Sequence, residues 1–235
     1  MESGRRISFM LPMYNESGNI EKTVTSIHGL ASSFGSGFEV ILIDDASRDA
    51  TARIAADIAE YDKTIKLIRM TKNTCFGGAF AEGLRKAAGE VVVYVDSDMP
   101  VSIEDMRASI PLIDDFDIVT AVSSVRKGDT FLRKTMSKSY NMIVRKVFGL
   151  NVKDINSGYK VLRKNIFEDI DFISRSPFVG VELFLHAVKK NARIKEYPVV
   201  FRTRCSGKSR MGSFTMIFAT FRDMLRVWSR NRRRK

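Results

Sequence analysis

Apolar residues in the first half of the chain form short continuous runs that alternate with longer segments of helical spacing. The short runs are rich in β-branched residues, which is typical of strands buried on both faces of a sheet. The longer segments repeat apolar residues every three or four positions, which indicates amphipathic helices. The predicted strands are residues 7–11, 38–43, 65–70 and 91–95. Three helices are predicted: the first ends near residue 34, and the other two cover residues 49–61 and 79–88.

Repeated strand–helix units of this length predict right-handed crossovers and a mainly parallel sheet flanked by helices, which is a Rossmann-like α/β fold. No internal repeat or linker interrupts the pattern, so we expect one domain, residues 1–212, followed by an amphipathic helix and basic tail, residues 213–235. Pro12 is expected to end the first strand, and Ser47 is expected to cap the second helix.

Two carboxylates, Asp96 and Asp98, follow the fourth predicted strand, and Pro100 then prevents further sheet pairing. Ligands of parallel α/β sheets bind beyond the carboxyl ends of the strands, which is where this pair lies. A hard divalent cation is commonly held by one or two carboxylates together with substrate phosphates. The pair therefore predicts a metal site if the chain turns after Asp96, whereas solvated acids at a strand end are the alternative.

Polar residues also follow the first and second predicted strands. Glu16 and Asp45 can accept hydrogen bonds from a nucleoside base or ribose, and they are expected at the same edge of the sheet as Asp96. The sequence contains neither a G-x-x-x-x-G-K-[ST] loop nor a G-x-G-x-x-G turn after the first strand, and Gly77-Gly78 alone is a weak signal. A nucleotide bound here would therefore need its diphosphate neutralised in another way, and a metal on the aspartate pair would do that.

The net charge of +12 is concentrated at one end of the chain. Residues 202–235 contain eleven Lys or Arg and one acid, Asp223, so they carry +10 of that charge. Such a block indicates an anionic partner such as phosphate groups, nucleic acid or an acidic membrane surface, whereas a solubilising tail is the alternative for residues 232–235. Nucleic acid is not expected, because the chain has no recognised binding motif and no basic-aromatic sheet pattern. Two cysteines and two histidines predict neither a disulfide framework nor a zinc site.

Residues 213–228 repeat apolar residues at helical spacing and carry arginines on another face. A basic amphipathic helix of this kind is typical of segments that lie on anionic membranes. The alternative is a helix that docks its apolar stripe on the domain. No run of 18 apolar residues is present, so any membrane contact is expected to be peripheral. The predicted stripe consists of Phe214, Ile217, Phe218, Phe221, Leu225 and Trp228.

Six segments of the chain resemble the family 2 glycosyltransferases of the GT-A fold, and among these the dolichyl- or polyprenyl-phosphate sugar synthases. The segments are LPMYNE at 11–16, IDDAS at 43–47, residues 73–89, DSD at 96–98, DINSGY at 154–159 and RCSGKSR at 204–210. The resemblance implies a nucleotide-sugar donor, Mg²⁺ or Mn²⁺ as cofactor, a lipid-phosphate acceptor, and a peripheral position on the cytoplasmic face of the membrane.

The resemblance also implies a role for each matching residue. Nucleotide-sugar contacts fall on Pro12, Tyr14, Glu16, Ile43, Asp45, Asp96 and Ser97, and the metal falls on Asp96 and Asp98. Contacts with the acceptor and its phosphate fall on Arg133, Ser137, Arg204, Lys208, Ser209 and Arg210, with Asp98, Arg133 and Arg204 as catalytic residues. The chain departs from its relatives at Pro100, where they often have Gln, and near Ser123-Ser124, where they often have arginine.

Two classes of acceptor are open on chemical grounds. A phosphate monoester has a second pKa of about 6 and is mostly anionic, so it needs arginines to bind it rather than a base. A hydroxyl of a glycan or polysaccharide needs a carboxylate base, for which Glu182 and Asp154 are candidates, each with a structural role as the alternative. The favoured hypothesis is inverting, metal-dependent transfer of a hexose from a donor of the GDP-mannose or UDP-glucose type to a polyprenyl phosphate.

Overall fold

The structure is a computed structural model that describes residues 5–35, 37–126, 131–202 and 214–232, and only the backbone at residues 125, 126, 131–138 and 214. Within these ranges the chain forms seven strands and seven α-helices. The strands are β1 (Ile7–Met13), β2 (Phe38–Asp44), β3 (Ile65–Arg69), β4 (Val91–Val95), β5 (Ile118–Arg126), β6 (Tyr159–Arg163) and β7 (Ile194–Phe201). The helices are α1 (Ile20–Ser32), α2 (Thr51–Tyr61), α3 (Cys75–Lys86), α4 (Ile103–Ser109), α5 (Phe131–Phe148), α6 (Val179–Lys189) and α7 (Phe214–Arg232).

The seven strands form one sheet in the order β3-β2-β1-β4-β6-β5-β7. β6 runs antiparallel to both of its neighbours, β4 and β5, and the other pairings are parallel. The predicted mainly parallel sheet is therefore confirmed. Because β1, β2, β4, β5 and β7 run in the same direction, their carboxyl ends lie at one edge of the sheet, and this edge carries the candidate site.

Both faces of the sheet are buried, as the apolar runs predict. In β1, Ile7, Phe9 and Leu11 belong to one hydrophobic core, whereas Met10 points to the other. Helices α1, α2 and α4 pack on the first core, and α3, α5, α6 and α7 pack on the second. Successive side chains of a strand point to opposite faces, so a sheet covered on both sides needs continuous apolar strands.

The prediction that Pro12 ends the first strand was wrong, because β1 continues to Met13 and Pro12 is in register with Ile43 of β2. On its other side, β1 pairs with β4 only as far as Met10 and Tyr94. Pro12 therefore lies beyond the last of these pairs, where its missing N–H removes no hydrogen bond between β1 and β4.

Two helix starts also differ from the prediction. α3 begins at Cys75, four residues earlier than expected, and includes Gly77 and Gly78. The N-cap of α2 is Ala50, and no side chain caps that helix. Ser47 instead accepts a hydrogen bond from the backbone N–H of Asn15 at 3.0 Å, so it joins two loops rather than capping a helix.

Helix α7 docks on the domain, but not through the predicted apolar stripe. Asp223 and Val227 are its buried residues, with 0% and 2% of their surface exposed. The predicted stripe faces outward, and its exposed members are Ile217, Phe218, Phe221, Leu225 and Trp228. None of the described helices combines the length and apolar character that a membrane span needs.

Candidate functional site

Hydrogen bonds join the ends of β1, β2 and β4 at the site edge. The backbone N–H of Asp45 donates to the carbonyl of Met13 at 3.0 Å, and the Ser97 hydroxyl donates to the carbonyl of Pro12 at 2.5 Å. The carbonyl of Ser97 in turn accepts from the Thr23 hydroxyl of α1 at 2.8 Å. The residues that follow the three strands are thus held in one place, as the sequence predicted.

The loop after β1 is fixed to the loop after β2. Asn15 has a positive φ of 56°, and its side-chain oxygen accepts from the N–H of Arg48 at 2.8 Å. The N–H of Glu16 donates to the Thr51 hydroxyl at 2.8 Å, and the Glu16 carboxylate accepts from the Asn19 amide at 2.7 Å. Short polar side chains tolerate and lock such turns, so Glu16 is presented from a rigid loop.

Asp45 joins the end of β2 to the start of α3. Its carboxylate accepts from the Thr74 N–H at 2.6 Å and from the Thr74 hydroxyl at 2.8 Å. Its carbonyl accepts from the Asn73 amide at 3.0 Å. Burial raises the pKa of Asp45, while the hydrogen bonds from Thr74 act in the opposite direction. Asp45 therefore fixes the first turn of α3 as well as being a predicted nucleotide contact.

The chain turns immediately after Asp96, as a metal site on this pair requires. The N–H of Met99 donates to the carbonyl of Asp96 at 3.0 Å, and Met99 has a positive φ of 51°. The N–H of Asp96 donates to the carbonyl of Gly158 at 2.9 Å. A Cβ on Gly158 would collide with the Asp96 carboxylate, so a glycine at this position allows β6 to lie directly against it.

A tyrosine of β4 orients the Asp96 carboxylate. The Tyr94 hydroxyl donates a hydrogen bond to Asp96 Oδ1. Burial, followed by the nearby Asp96 charge, raises the pKa of Tyr94 well above its ordinary value, so Tyr94 keeps its proton. Hydrogen bonds of this kind hold metal-binding carboxylates in position.

Lys160 of β6 is a buried cation beside the aspartate motif. Its ammonium donates to the carbonyl of Ser157 at 2.5 Å and lies 5.6 Å from the centre of the Tyr94 ring. Burial lowers the pKa of Lys160 to about 8, against the attraction of Asp154 and Asp96. Asp154 is itself buried, with 6% of its surface exposed, and lies in this charged cluster.

The residues of the motif fit a hard divalent cation. Among the residues that the structure describes, no three His, Cys, Asp or Glu side chains form a metal-binding group. A cation here would be held by the carboxylates of Asp96 and Asp98 and would take its other oxygen ligands from substrate phosphates and water, which is how Mg²⁺ is usually bound.

We predict that Tyr94→Phe weakens Mn²⁺ binding about tenfold, which is the effect usual for removing a hydrogen bond to a metal-binding side chain. The ring still fills its place in the core, so the fold is retained. Electron paramagnetic resonance titration of Mn²⁺, with UDP or GDP present, measures the change. Tyr159→Phe is the control, because that buried hydroxyl pairs with Ser109 at 2.8 Å. Equal Mn²⁺ affinity in both variants would refute a positioning role for Tyr94.

The other predicted site residues divide into described and undescribed groups. Ile43 is fully buried in one of the two cores, and the Ser97 hydroxyl donates to the carbonyl of Pro12. Arg133 and Ser137 lie in the first part of α5, residues 131–138, of which the structure describes only the backbone. The predicted basic loop residues, Arg204, Lys208, Ser209 and Arg210, lie outside the described residues.

The described residues before the predicted basic loop end beside the aspartate motif. Arg202 is the last described residue before it, and its N–H donates to the carbonyl of Pro100 at 2.9 Å. Pro100 lies two residues after Asp98. The chain therefore leaves the sheet beside the aspartate motif when it enters the basic segment.

Glu182, a candidate base, is engaged by three groups of the protein. Its carboxylate accepts from the N–H groups of Ile173 and Ser174, the latter at 2.7 Å, and pairs with the Arg230 guanidinium at 2.6 Å. Its side chain is 2% exposed. These contacts favour the structural role that the sequence left open for Glu182.

The sequence analysis missed Tyr94, Lys160 and Thr74. Tyr94 is two positions before Asp96 in a strand, so it shares a face with that residue and could have been identified by period-two spacing. A lysine inside the apolar run of β6 was a second signal, because lysine is almost never fully buried without a partner. Nothing local in the sequence indicates that Thr74 contacts Asp45.

The chain is similar to enzymes that act on lipid phosphates. It is 28% identical over 231 residues to a dolichol-phosphate mannosyltransferase of Pyrococcus furiosus, covering 94% of this chain and 63% of that protein. It is 24% identical over 216 residues to an undecaprenyl-phosphate 4-deoxy-4-formamido-L-arabinose transferase of Klebsiella pneumoniae, covering 91% and 64%. The chain thus spans less than two thirds of the length of these relatives.

Solved structures share the fold. Glucosyl-3-phosphoglycerate synthase of Mycobacterium tuberculosis, in complex with uridine diphosphate, matches with a TM-score of 0.72 at 19% identity, covering 96% of this chain and 81% of that one. A mannosyltransferase of Pyrobaculum calidifontis, in complex with GDP-Man and Mn²⁺, matches with a TM-score of 0.64 at 18% identity, covering 94% and 64%. Residues 8–171, more than half of the chain, match the model of glycosyl transferase family 2, and the chain belongs to that family.

Proposed function

We propose that this protein transfers a hexose from a nucleotide-diphosphate sugar to a polyprenyl phosphate. The observation that carries the proposal is that Glu16, Asp45 and the Asp96–Asp98 turn lie together at one edge of the sheet. Arg202, the first residue of the basic segment 202–235, contacts this turn at Pro100. The relatives that act on dolichol phosphate and undecaprenyl phosphate support the acceptor class.

Glu16 and Asp45 are the side chains proposed to accept hydrogen bonds from the nucleoside of a donor of the GDP-mannose or UDP-glucose type. Asp96 and Asp98 would hold Mg²⁺ or Mn²⁺, which neutralises the donor diphosphate and stabilises it as a leaving group. The solved relatives that contain UDP, or GDP-Man with Mn²⁺, support a donor and a metal of this kind.

The transfer is proposed to be a single displacement. An oxygen of the acceptor phosphate forms a bond to the anomeric carbon, the bond from that carbon to the donor diphosphate breaks, and its electron pair leaves with the nucleoside diphosphate. The anomeric configuration is inverted. The phosphate nucleophile is already anionic, so the reaction needs cationic groups such as Arg133 and Arg204 rather than a base. The engagement of Glu182 within the protein supports this acceptor over a hydroxyl.

The outward face of α7 is proposed to lie on the anionic cytoplasmic surface of a membrane, where a lipid acceptor is found. Five large apolar side chains of this helix are exposed, and its arginines Arg222 and Arg226 are about half exposed. Helix α5, which packs on the same side of the sheet, also exposes Met142, Ile143 and Val147. Apolar insertion combined with basic side chains is how interfacial helices bind anionic lipid.

We predict that changing Phe218 and Phe221 together to Asp weakens binding to anionic vesicles at least about tenfold, because each buried aromatic side chain contributes roughly 1.5–3 kcal/mol. Co-sedimentation with vesicles of equal parts phosphatidylcholine and phosphatidylglycerol measures the loss. Tyr61→Asp is the control, because Tyr61 is 91% exposed but belongs to α2 on the opposite side of the sheet. Unchanged binding by the double variant would remove the proposed membrane surface.

A screen of donors and acceptors tests the proposed reaction. Radiolabelled GDP-mannose, UDP-glucose, UDP-N-acetylglucosamine and UDP-galactose are each incubated with polyprenyl phosphate and Mn²⁺, and the label in the organic phase is counted. Label from one donor, abolished by a chelator, is the expected result. Metal-dependent hydrolysis of one donor without lipid labelling would overturn the acceptor and favour a glycan or polysaccharide hydroxyl instead.

A further inference from the structure

Four consecutive backbone N–H groups, those of residues 173–176, donate to two buried carboxylates. We call residues 173–176 the anchor loop. The N–H groups of Ile173 and Ser174 donate to Glu182 of α6. Those of Arg175 and Ser176 donate to one oxygen of Asp223 at 3.0 and 2.9 Å. The first two residues of the loop are thus held by α6 and the last two by α7.

Asp223 is an unusual residue for its position. It is the one acid in the basic segment from 202 to 235, and 0% of its surface is exposed. The guanidinium groups of Arg222 and Arg226 lie 3.6 and 3.8 Å from its second oxygen. A buried carboxylate is unfavourable unless it is paired and hydrogen-bonded, so these contacts are what keep Asp223 inside the protein.

The anchor loop lies directly on the first turn of α3. The N–H of Gly77 donates to the carbonyl of Arg175 at 2.8 Å. A Cβ on Gly77 would lie 2.5 Å from the carbonyl oxygen of Ser174 and 2.8 Å from the carbonyl carbon of Arg175. Both neighbours are backbone atoms that cannot rotate away, so a glycine is required for this contact.

The same turn of α3 reaches the candidate nucleotide site. Thr74, the residue before α3, binds the Asp45 carboxylate through both its N–H and its hydroxyl. Cys75, the first residue of α3, has a positive φ of 60°. Such a backbone conformation in a residue other than glycine persists only where its surroundings hold it. The anchor loop on one side and Asp45 on the other provide those surroundings.

We propose that Asp223 is a positioning residue for the nucleotide-sugar site. Through the anchor loop it fixes the first turn of α3 and so the orientation of Asp45. The helix proposed to lie on the membrane therefore also holds the donor side of the site in shape. This inference rests on the proposed function, because it assigns the site around Asp45 to a nucleoside diphosphate.

Isothermal titration calorimetry with UDP and with GDP, each with Mn²⁺, tests the inference. Asp223→Ala is expected to weaken the affinity for the nucleotide that the wild type binds on the order of tenfold, because small displacements of binding groups are costly. Asp223→Asn is expected to restore most of that affinity, because its amide oxygen can still accept from Arg175 and Ser176. Val227→Ala is the control for a general loss of stability, because it removes another buried contact of α7.

The outcomes separate the inference from the function on which it rests. Equal affinity in Asp223→Ala and wild type, or equal weakening by Val227→Ala, would overturn the positioning role. Gly77→Ala disturbs the same contact from the α3 side and carries the test if Asp223→Ala does not fold; wild-type affinity in Gly77→Ala would overturn the role as well. Absence of UDP and GDP binding by the wild-type protein would instead refute the proposed function.

Discussion

Asp98→Ala is expected to abolish sugar transfer, with a fall in kcat of about a thousandfold or more, because removing the electrostatic stabilisation of a leaving group has effects of that size. Asp98 lies within the turn that begins at Asp96, and the pKa of Tyr94, raised first by burial and by Asp96, is raised further by the charge of Asp98. Without this carboxylate the motif retains one acidic ligand, Asp96. Two carboxylates already leave most of the coordination sphere to phosphates and water, so the loss of one is severe.

The measurement is transfer of labelled sugar at saturating Mg²⁺ or Mn²⁺, so that a weaker metal affinity alone cannot account for the result. Asp57→Ala is the matched control, because Asp57 is a half-exposed acid within α2 whose partner is Arg53 of the same helix. Thermal unfolding of both variants verifies that the protein is folded. Normal turnover by Asp98→Ala with either metal present would refute the central role of the motif.

The sheet could be predicted from the sequence because its strands are continuous apolar runs. The run from Val91 to Val95 is short and rich in β-branched residues, which favours a strand covered on both faces. The start of α3 could not be predicted in this way. Gly77 and Gly78 are poor helix formers, and their place in a helix depends on the close approach of the anchor loop, which is about a hundred residues away in the chain.

The location of the candidate site could be predicted from residues that follow strands. The hydrogen bonds that hold those residues in place could not be predicted. Asp45, Asp96 and Asp98 follow predicted strands, and parallel topology brings such ends together. Their supporting contacts, from Thr74 to Asp45 and from Asp223 to the anchor loop, join residues that share no local pattern. The roles given to individual residues by resemblance stay predictions until variants are assayed.

The existence of helix α7 could be predicted from the periodicity of apolar residues, but the face through which it docks could not. Its spacing correctly predicted an amphipathic helix, but apolar spacing was consistent with both docking and membrane contact. The helix docks through the apolar Val227 and Met224 together with two charged residues, Asp223 and Arg230. A buried carboxylate with four polar neighbours can serve as a docking contact beside apolar ones. A hydrophobicity pattern, however, predicts that an acidic residue is exposed.

Glu182→Ala is expected to lower the free energy of unfolding by about 3–5 kcal/mol, the usual effect of removing one partner from a buried ion pair. The change leaves the N–H groups of Ile173 and Ser174 without this acceptor and removes the buried carboxylate of the Arg230 pair, so that Arg230 keeps the exposed Asp171 at 3.6 Å. Urea unfolding followed by the fluorescence of Trp228 is a suitable measurement, because this is the only tryptophan and it lies in α7, which the Arg230 pair joins to α6.

Glu182→Gln separates a structural role from a catalytic one. Its amide oxygen can still accept from the anchor loop, so we expect a folded protein with kcat within a few-fold of wild type, whereas loss of a general base lowers rates about 10²–10⁴-fold. Arg230→Gln is the matched variant, because it breaks the same pair and leaves the carboxylate in place. A folded but inactive Glu182→Gln beside an active Arg230→Gln would identify Glu182 as the base and a hydroxyl as the acceptor. Comparable activity in both variants would leave the anionic phosphate as the nucleophile that needs no base.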